Sequence, residues 1–522
     1  MNRNSPTPPE AVLDAATEQV AEDISALPSA PAVPSDRLLV RSIAWSAAGD
    51  WGTQIFTWLA FLEVMRVLTP ADFGIAALAG ILMPYMGQLT GLGMPRAVVA
   101  IRDLSEDQLA QMNTLSLLSA TTLFLFGVAI AKPFAAFFRT PALAPVFIVA
   151  CSGLIMSALC AVPNATLAKQ MRFRLLSILS IVCTLTAAAA TLAMALLGLG
   201  YWALLLGNML SGVIKTVVIQ RARPTRLAWP RLKTIREPLR FGWQISVSLI
   251  AMNSYQRLDN FVAGRVLGPA ALGFYGNAWE LANVPIEKVS SLVTTVIPSF
   301  LSAVQDQPAA LRRYLRGLTE TIALAAFPAT VGLSLVAHEA VPLVLGHKWD
   351  GMVAPLQVLC FYAAFRAIVA LLPKVLVAIH KVRFVMWNDL AALALLPIAF
   401  FIGSRRGTAG IAWAWVVAYP FIVLPLYWKT FRAIGMSLAE YLRALRPAVS
   451  GTIVMILCVE AAKHSLAPAG GLLFRLTVEV GVGMISYVAP VWLLHRDRVM
   501  AVIRVLQKIG PRRTRRAQEP VA

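Results

Sequence analysis

From residue 42 onward the sequence is built of apolar runs of about twenty residues, and fourteen can be delimited: 42–64, 74–94, 112–131, 143–163, 175–197, 201–219, 241–262, 272–299, 317–337, 353–372, 384–403, 408–428, 447–462 and 473–493. Each is long enough to cross a hydrocarbon core ~30 Å thick as one helix. The expected fold is therefore an all-α polytopic membrane protein with about fourteen transmembrane helices. Charge agrees, since only 14% of the 522 residues are charged against about 25% in soluble domains. That deficit excludes a soluble enzyme, a disordered chain and a nucleic-acid binder with an exposed basic surface.

Orientation follows from Lys and Arg, which collect on the cytoplasmic side of short loops. With the N-terminus inside, and with Lys215 and Arg475 counted with the loops they border, 34 of the 46 fall in cytoplasmic segments, 9 in outer loops and 3 (Arg257, Lys288, Arg366) within spans. One miscounted span would reverse every later loop and erase this bias. Both termini are predicted cytoplasmic. The first 36 residues, with six prolines and six acidic residues, read as a disordered tail. The expected organisation is this tail (1–36), a six-helix lobe (37–220), a basic linker (221–240), a second six-helix lobe (241–430), an amphipathic linker helix (431–446), a final helix pair (447–494) and a basic tail (495–522). Ser437 and Glu440 are spaced as a capping box that would open the linker helix.

Outer loops are short. The longest, His338 to Met352, is apolar enough to lie in the membrane interface with Trp349 as its anchor. No external segment offers room for a catalytic domain, so no enzyme and no catalytic residues are expected. The five cysteines sit in apolar runs without CxxC spacing and the five histidines stand singly, so no metal site is expected. No Walker A motif occurs, and no cofactor is anticipated. The basic stretch Lys215 to Arg240 reads as a topology signal in contact with anionic membrane lipids, and no nucleic-acid partner is expected.

A shift of 199 residues aligns RVLTPADFG (Arg66 to Gly74) with RVLGPAALG (Arg265 to Gly273), and also Arg41 with Arg240. The repeat unit holds six spans, an even number, so the lobes are parallel repeats about an axis along the membrane normal. Two such lobes enclose a central cavity. Polar residues inside spans are costly in lipid and should face that space. On the first span Ser46, Asp50, Thr53, Gln54 and Thr57 share one helical face, and on the seventh Ser246, Asn253, Gln256, Arg257 and Asn260 do the same. The eighth adds Asn277, Glu280, Asn283 and Glu287. Arg257 and Glu280 lie at similar depth and could pair, as could Arg366 and Asp389. Asp50 has no evident partner at its depth. Arg257, Arg366, Asn253, Gln256, Asn260 and Gln54 are the candidate contacts for an anionic head group, because guanidinium binds phosphate oxygens bidentately. Asp50, Glu280 and Glu287 are the candidates for ion or proton coupling.

The segments RVLTPADFGIAAL, VLGPAALGFYGNAWELANVP and VLGHKWDGMVAPLQVL, in this order, resemble the Wzx-type polysaccharide biosynthesis proteins, the oligosaccharide-lipid flippases of the multidrug/oligosaccharidyl-lipid/polysaccharide exporter superfamily. The resemblance implies two six-helix lobes and a final helix pair. It further implies alternating-access movement of undecaprenyl-diphosphate-linked repeat units of exopolysaccharide, capsule or O-antigen to the outer leaflet, with polymerase and export machinery as possible partners. A multidrug or toxin antiporter of the same superfamily, a membrane glycosyltransferase or polymerase, and a scaffold for the polysaccharide machinery are the alternatives.

Overall fold

The computed structural model describes residues 36–509 apart from 102, 232, 241, 244–245, 247–249, 251–256, 295–306 and 466–470, and gives no side chains for 36–51, 287–294 and 495–509. Two units separate at Gly52. The described part of the first, residues 36–52, is the start of helix α1 (Asp36–Val67).

In the second unit α1 continues from Thr53, followed by α2 (Pro70–Gly80), α3 (Met83–Gly91), α4 (Met94–Ala100), α5 (Glu106–Phe137), α6 (Leu143–Lys169), α7 (Phe173–Leu196) and α8 (Tyr201–Ala222). The later half has α9 (Leu258–Val262), a π-helical turn at Ala263–Leu267, α10 (Pro269–Thr294), α11 (Pro308–Leu345), α12 (Val353–Val369), α13 (Leu371–Ala378), α14 (Val382–Ser404), α15 (Gly407–Ile434), α16 (Leu438–Ser465) and α17 (Leu472–Ile509). No strand occurs among the described residues. Eleven helical stretches among them are long and apolar enough to span a membrane. They correspond to eleven of the fourteen expected spans. Of the other three, the first and eighth coincide with α1 and α10, and most of the seventh lies outside the described residues.

The repeat has a direct structural counterpart. Helix α2 opens one copy of the motif and α10 the other, and the two helices pack together. A Cβ on Gly74 would stand 1.8 Å from the Pro269 carbonyl oxygen, and one on Gly273 would stand 1.9 Å from that of Pro70. Gly74 and Gly273 are the same position in the two copies, and so are Pro70 and Pro269. The contact is therefore reciprocal, as across a two-fold axis, and needs both side chains absent because backbone lies on backbone.

Trp349 completes this junction. It is fully buried, its Nε1 donates to the Met65 carbonyl at 2.8 Å, and its ring meets Phe73 edge-on at 5.4 Å and Phe274 at 6.1 Å. The expected interface anchor is thus a core residue of the inter-repeat contact. An indole needs both apolar contact and an acceptor when buried, and the end of α1 supplies the acceptor here. The loop is also shorter than expected, because α11 runs on to Leu345.

The opposite end of the bundle is also close-packed. Leu92 and Gly93 adopt left-handed backbone between α3 and α4, and a Cβ on Gly93 would lie 2.0 Å from the Gly242 carbonyl oxygen. The basic linker is strapped to the α5 end. Arg223 pairs with Glu106 at 2.6 Å, the Arg231 amide donates to Gln111 Oε1, and Ile235 is buried among Met94, Ala97, Leu109 and Met112. Residues 431–446 are divided between two helices. α15 runs to Ile434, and α16 starts after Ser437, whose hydroxyl caps the Glu440 amide, and continues unbroken through residues 447–462. The Glu440 carboxylate reaches Arg312 on α11.

Replacing Gly273 by Ala is expected to destabilise the protein by about 3 kcal/mol, since the contacted atom is backbone and cannot step aside. Gly276→Ala, whose Cβ meets nothing within 4 Å, should melt close to wild type. Thermal melting of the detergent-solubilised protein, followed by size-exclusion fluorescence, checks the contrast.

Candidate functional site

Three spaces in the bundle carry polar groups. The largest, a cavity of about 770 Å³, lies among α1, α6, α7 and α8. Thr57 brings the polar face of α1 into its wall, opposite Asn164, Asn208 and Lys215. A second space of about 520 Å³, among α3, α6 and α8, is lined by the same Asn164, Asn208 and Lys215. These three side chains therefore line both polar spaces. Asn208 and Lys215 are seven residues apart on α8, two turns on one face. Thr57 and Asn208 satisfy themselves on their own helices, through the carbonyls of Thr53 and Leu204 at 2.8 Å each. Among the described residues no carboxylate is paired with Lys215. A cation of this kind at the wall of a cavity is suited to an anionic group.

The smallest cavity, about 210 Å³, lies at the inter-repeat junction between α2 and α9/α10. Arg257, Asn260, Asn277 and Glu280 line it together with Phe73 and Trp279. Asn277 turns its Nδ2 back to the Gly273 carbonyl, and Asn260 Oδ1 is buried without a donor. The cavity thus retains an unused acceptor beside a guanidinium and a carboxylate.

The structure brings some of the predicted residues together and separates others. Arg257 and Glu280, expected at similar depth, both line the small cavity, with Asn260 beside them. Arg366 does not pair with Asp389 among the described ion pairs; its guanidinium lies 5.5 Å from the centre of the Trp279 ring, the same Trp279 that walls the Arg257 cavity. The expectation failed because depth along two helices fixes height and not azimuth, and the aromatic face was the nearer partner for a planar cation. Gln54 is half-buried on α1, three residues before Thr57. Asn253 and Gln256, and the side chains of Asp50 and Glu287, lie outside the described residues.

Sequence reasoning missed Lys215, Asn164 and Asn208. Lys215 was read as the first residue of the basic linker, although it is four residues inside the run 201–219, and its spacing from Asn208 was the available signal. Asp259 was also passed over. It is buried, and its Oδ2 accepts from Tyr275 Oη at 2.8 Å and Trp415 Nε1 at 3.1 Å. Trp415 in turn packs with Tyr362, Trp279 and Phe400. This carboxylate ties α9 to α10 and α15.

A multi-pass helical bundle with an internal repeat and a cation-lined cavity fits a membrane protein of the transporter kind. Residues 64–354, more than half of the chain, match the polysaccharide biosynthesis protein family, and the chain belongs to that family. It is 22% identical over 495 residues to the succinoglycan biosynthesis transport protein ExoT of Rhizobium meliloti, covering 91% of this chain and 97% of that one. It is 21% identical over 428 residues to the lipopolysaccharide biosynthesis protein WzxC of Escherichia coli, covering 78% and 84%. Among solved structures, the lipid II flippase MurJ in an inward closed conformation aligns with a TM-score of 0.69 at 13% identity, over 87% of this chain and 100% of that one. A likeness at that identity establishes the fold.

Asp259→Ala is expected to cost about 2–3 kcal/mol of stability, because it strands the buried Tyr275 hydroxyl and leaves Trp415 Nε1 only Tyr275 Oη as acceptor. Lys215→Ala, at an exposed position, should change stability by less than about 0.5 kcal/mol. Parallel thermal melts separate these two kinds of polar residue.

Proposed function

We propose that this protein is a lipid-linked oligosaccharide flippase, carrying diphosphate-lipid-linked repeat units of a bacterial exopolysaccharide, capsule or O-antigen from the cytoplasmic to the outer leaflet by alternating access. The observation that carries the reading is the N-terminal-lobe cavity. It is a space of about 770 Å³ with Lys215, Asn164 and Asn208 in its wall, inside a membrane bundle of the polysaccharide biosynthesis family. Lys215 suits the diphosphate, and the amides and hydroxyls suit sugar. Arg257, which lines a cavity with Trp279, and Arg366, which lies against the Trp279 ring, are proposed to receive the same head group from the second lobe. Asp50 is proposed as a coupling carboxylate, beside Glu280 and Glu287.

The asymmetry of Lys and Arg supports cytoplasmic termini in the inner membrane. On that assignment the Trp349 end faces outward and the Gly93–Gly242 end faces the cytoplasm. The action is movement across the membrane, with no bond made or broken. The lipid-linked oligosaccharide is the proposed partner, with polymerase and export machinery acting on what is delivered.

In proteoliposomes loaded with a fluorescent lipid-diphosphate-linked oligosaccharide, wild type should expose the label to an external quencher. Lys215→Ala and Arg257→Ala should slow exposure at least about tenfold, the loss of about 1.4 kcal/mol of head-group binding. Undiminished rates in both variants would remove these residues from the site. Movement of small organic cations without glycolipid would favour the antiporter.

A further inference from the structure

Between Arg226 and Thr234 the basic linker is held mainly by its backbone. The Arg226 carbonyl accepts from Asn113 Nδ2 at 3.3 Å, and the Thr234 carbonyl from Gln108 Nε2 at 3.1 Å. The Ala228 amide donates to Thr114 Oγ1 at 3.1 Å, and the Arg231 amide to Gln111 Oε1 at 2.9 Å. Gln111 and Asn113 are buried. A polar stripe at the start of α5, which would be costly beside lipid, is thus covered and satisfied by the linker.

With these backbone groups turned inward, the intervening side chains point away. Trp229 is 86% exposed and Leu227 is 58% exposed, and Arg226, Arg231 and Lys233 are exposed around them. None of these three cations pairs with a carboxylate among the described residues. The α5 residues that hold the linker, Gln108 to Thr114, cover about 9 Å of helix rise. They straddle residue 112, where the apolar run of α5 begins, so Leu227 and Trp229 sit at the height where α5 enters the membrane. Tryptophan is favoured at that boundary, since its ring can meet acyl chains while its N–H stays wet. A soluble protein would have to reach the same level between lipid head groups, which argues against one as the occupant.

We propose that the linker is an anchor in the cytoplasmic leaflet: Leu227 and Trp229 enter the bilayer interface, and Arg226, Arg231 and Lys233 gather anionic phospholipid around them. The side follows from the assignment of the Gly93–Gly242 end to the cytoplasm. Basic charge by itself leads one to expect anionic lipid nearby; the outward apolar pair adds insertion, which charge does not require. Because the linker is bonded to α5, the anchor ties the first lobe to that leaflet. The proposal stands independently of the flippase reading.

The test places full-length protein in nanodiscs of phosphatidylglycerol and phosphatidylcholine in equal amounts, with bromine on the acyl chains of one lipid or the other. Subtracting the fluorescence of Trp229→Phe from that of wild type isolates Trp229, at a position too exposed for the change to affect folding. The Trp229 signal should be quenched by both brominated lipids, and at least about twofold more strongly by phosphatidylglycerol, because each nearby cation favours an anionic lipid. With Arg226, Arg231 and Lys233 all changed to Gln, and the same Trp229→Phe subtraction, the two lipids should quench equally. Emission of a water-exposed indole, quenched by aqueous acrylamide and by neither brominated lipid, overturns the anchor and leaves the face to a soluble partner. Equal quenching by the two lipids in wild type overturns the role of the cations, and so does a preference that survives in the triple variant.

Discussion

The backbone-on-backbone contact between Gly74 and Pro269, and its mirror between Gly273 and Pro70, is the constraint on which the rest of the bundle depends. Lipid tails are as apolar as leucine, so helices in a membrane gain little by hiding apolar surface from one another. They gain by close packing, which small residues permit. Here each lobe offers the same Pro-x-x-x-Gly turn to the other, and Trp349 seals the junction from a third direction. Arg257, Asn260 and Glu280 then fall beside α2 because α9 and α10 are held there. The small cavity is a consequence of the same contact.

Polar groups mark where the bundle departs from simple packing. A charge at the centre of a membrane costs roughly 2.5–3.5 kcal/mol on insertion scales, so each needs a reason for being there. The structure distinguishes several. Asp259 is saturated by Tyr275 and Trp415 and holds helices together. Arg366 rests on an aromatic face. Lys215 lies at the wall of two spaces without a carboxylate, and Glu339 and Glu479 share a seam with unsatisfied oxygens. The first two are structural solutions, and Lys215 is the one proposed to meet a ligand.

The all-helical membrane fold was legible in the sequence, because length and apolarity alone decide what can cross a bilayer. The repeat was legible too. Five identities at a shift of 199 pointed to the contact that Gly74 and Gly273 make, although nothing in the letters revealed that the two copies touch. Arg257 and Glu280 line one cavity, as similar depth on adjoining helices allows, whereas Asn260 was placed only on the polar face of the seventh span. Depth failed for Arg366 and Asp389, whose azimuths differ. Trp349 was misread because an aromatic in a short loop looks the same whether it faces lipid or the Met65 carbonyl. Lys215 was hidden by its closeness to a basic segment, where a cation is cheap to explain.

The central claim is that the two lobes close on each other at the Trp349 junction and part there when substrate crosses. The most direct measurement is the distance distribution between spin labels at Lys132 and His347, exposed positions on the two lobes, with the protein in lipid nanodiscs. Addition of a lipid-diphosphate-linked oligosaccharide should create a second, longer distance, and Gly273→Ala, which wedges the junction apart, should populate that distance without substrate. One unchanged distance under all conditions would contradict the account.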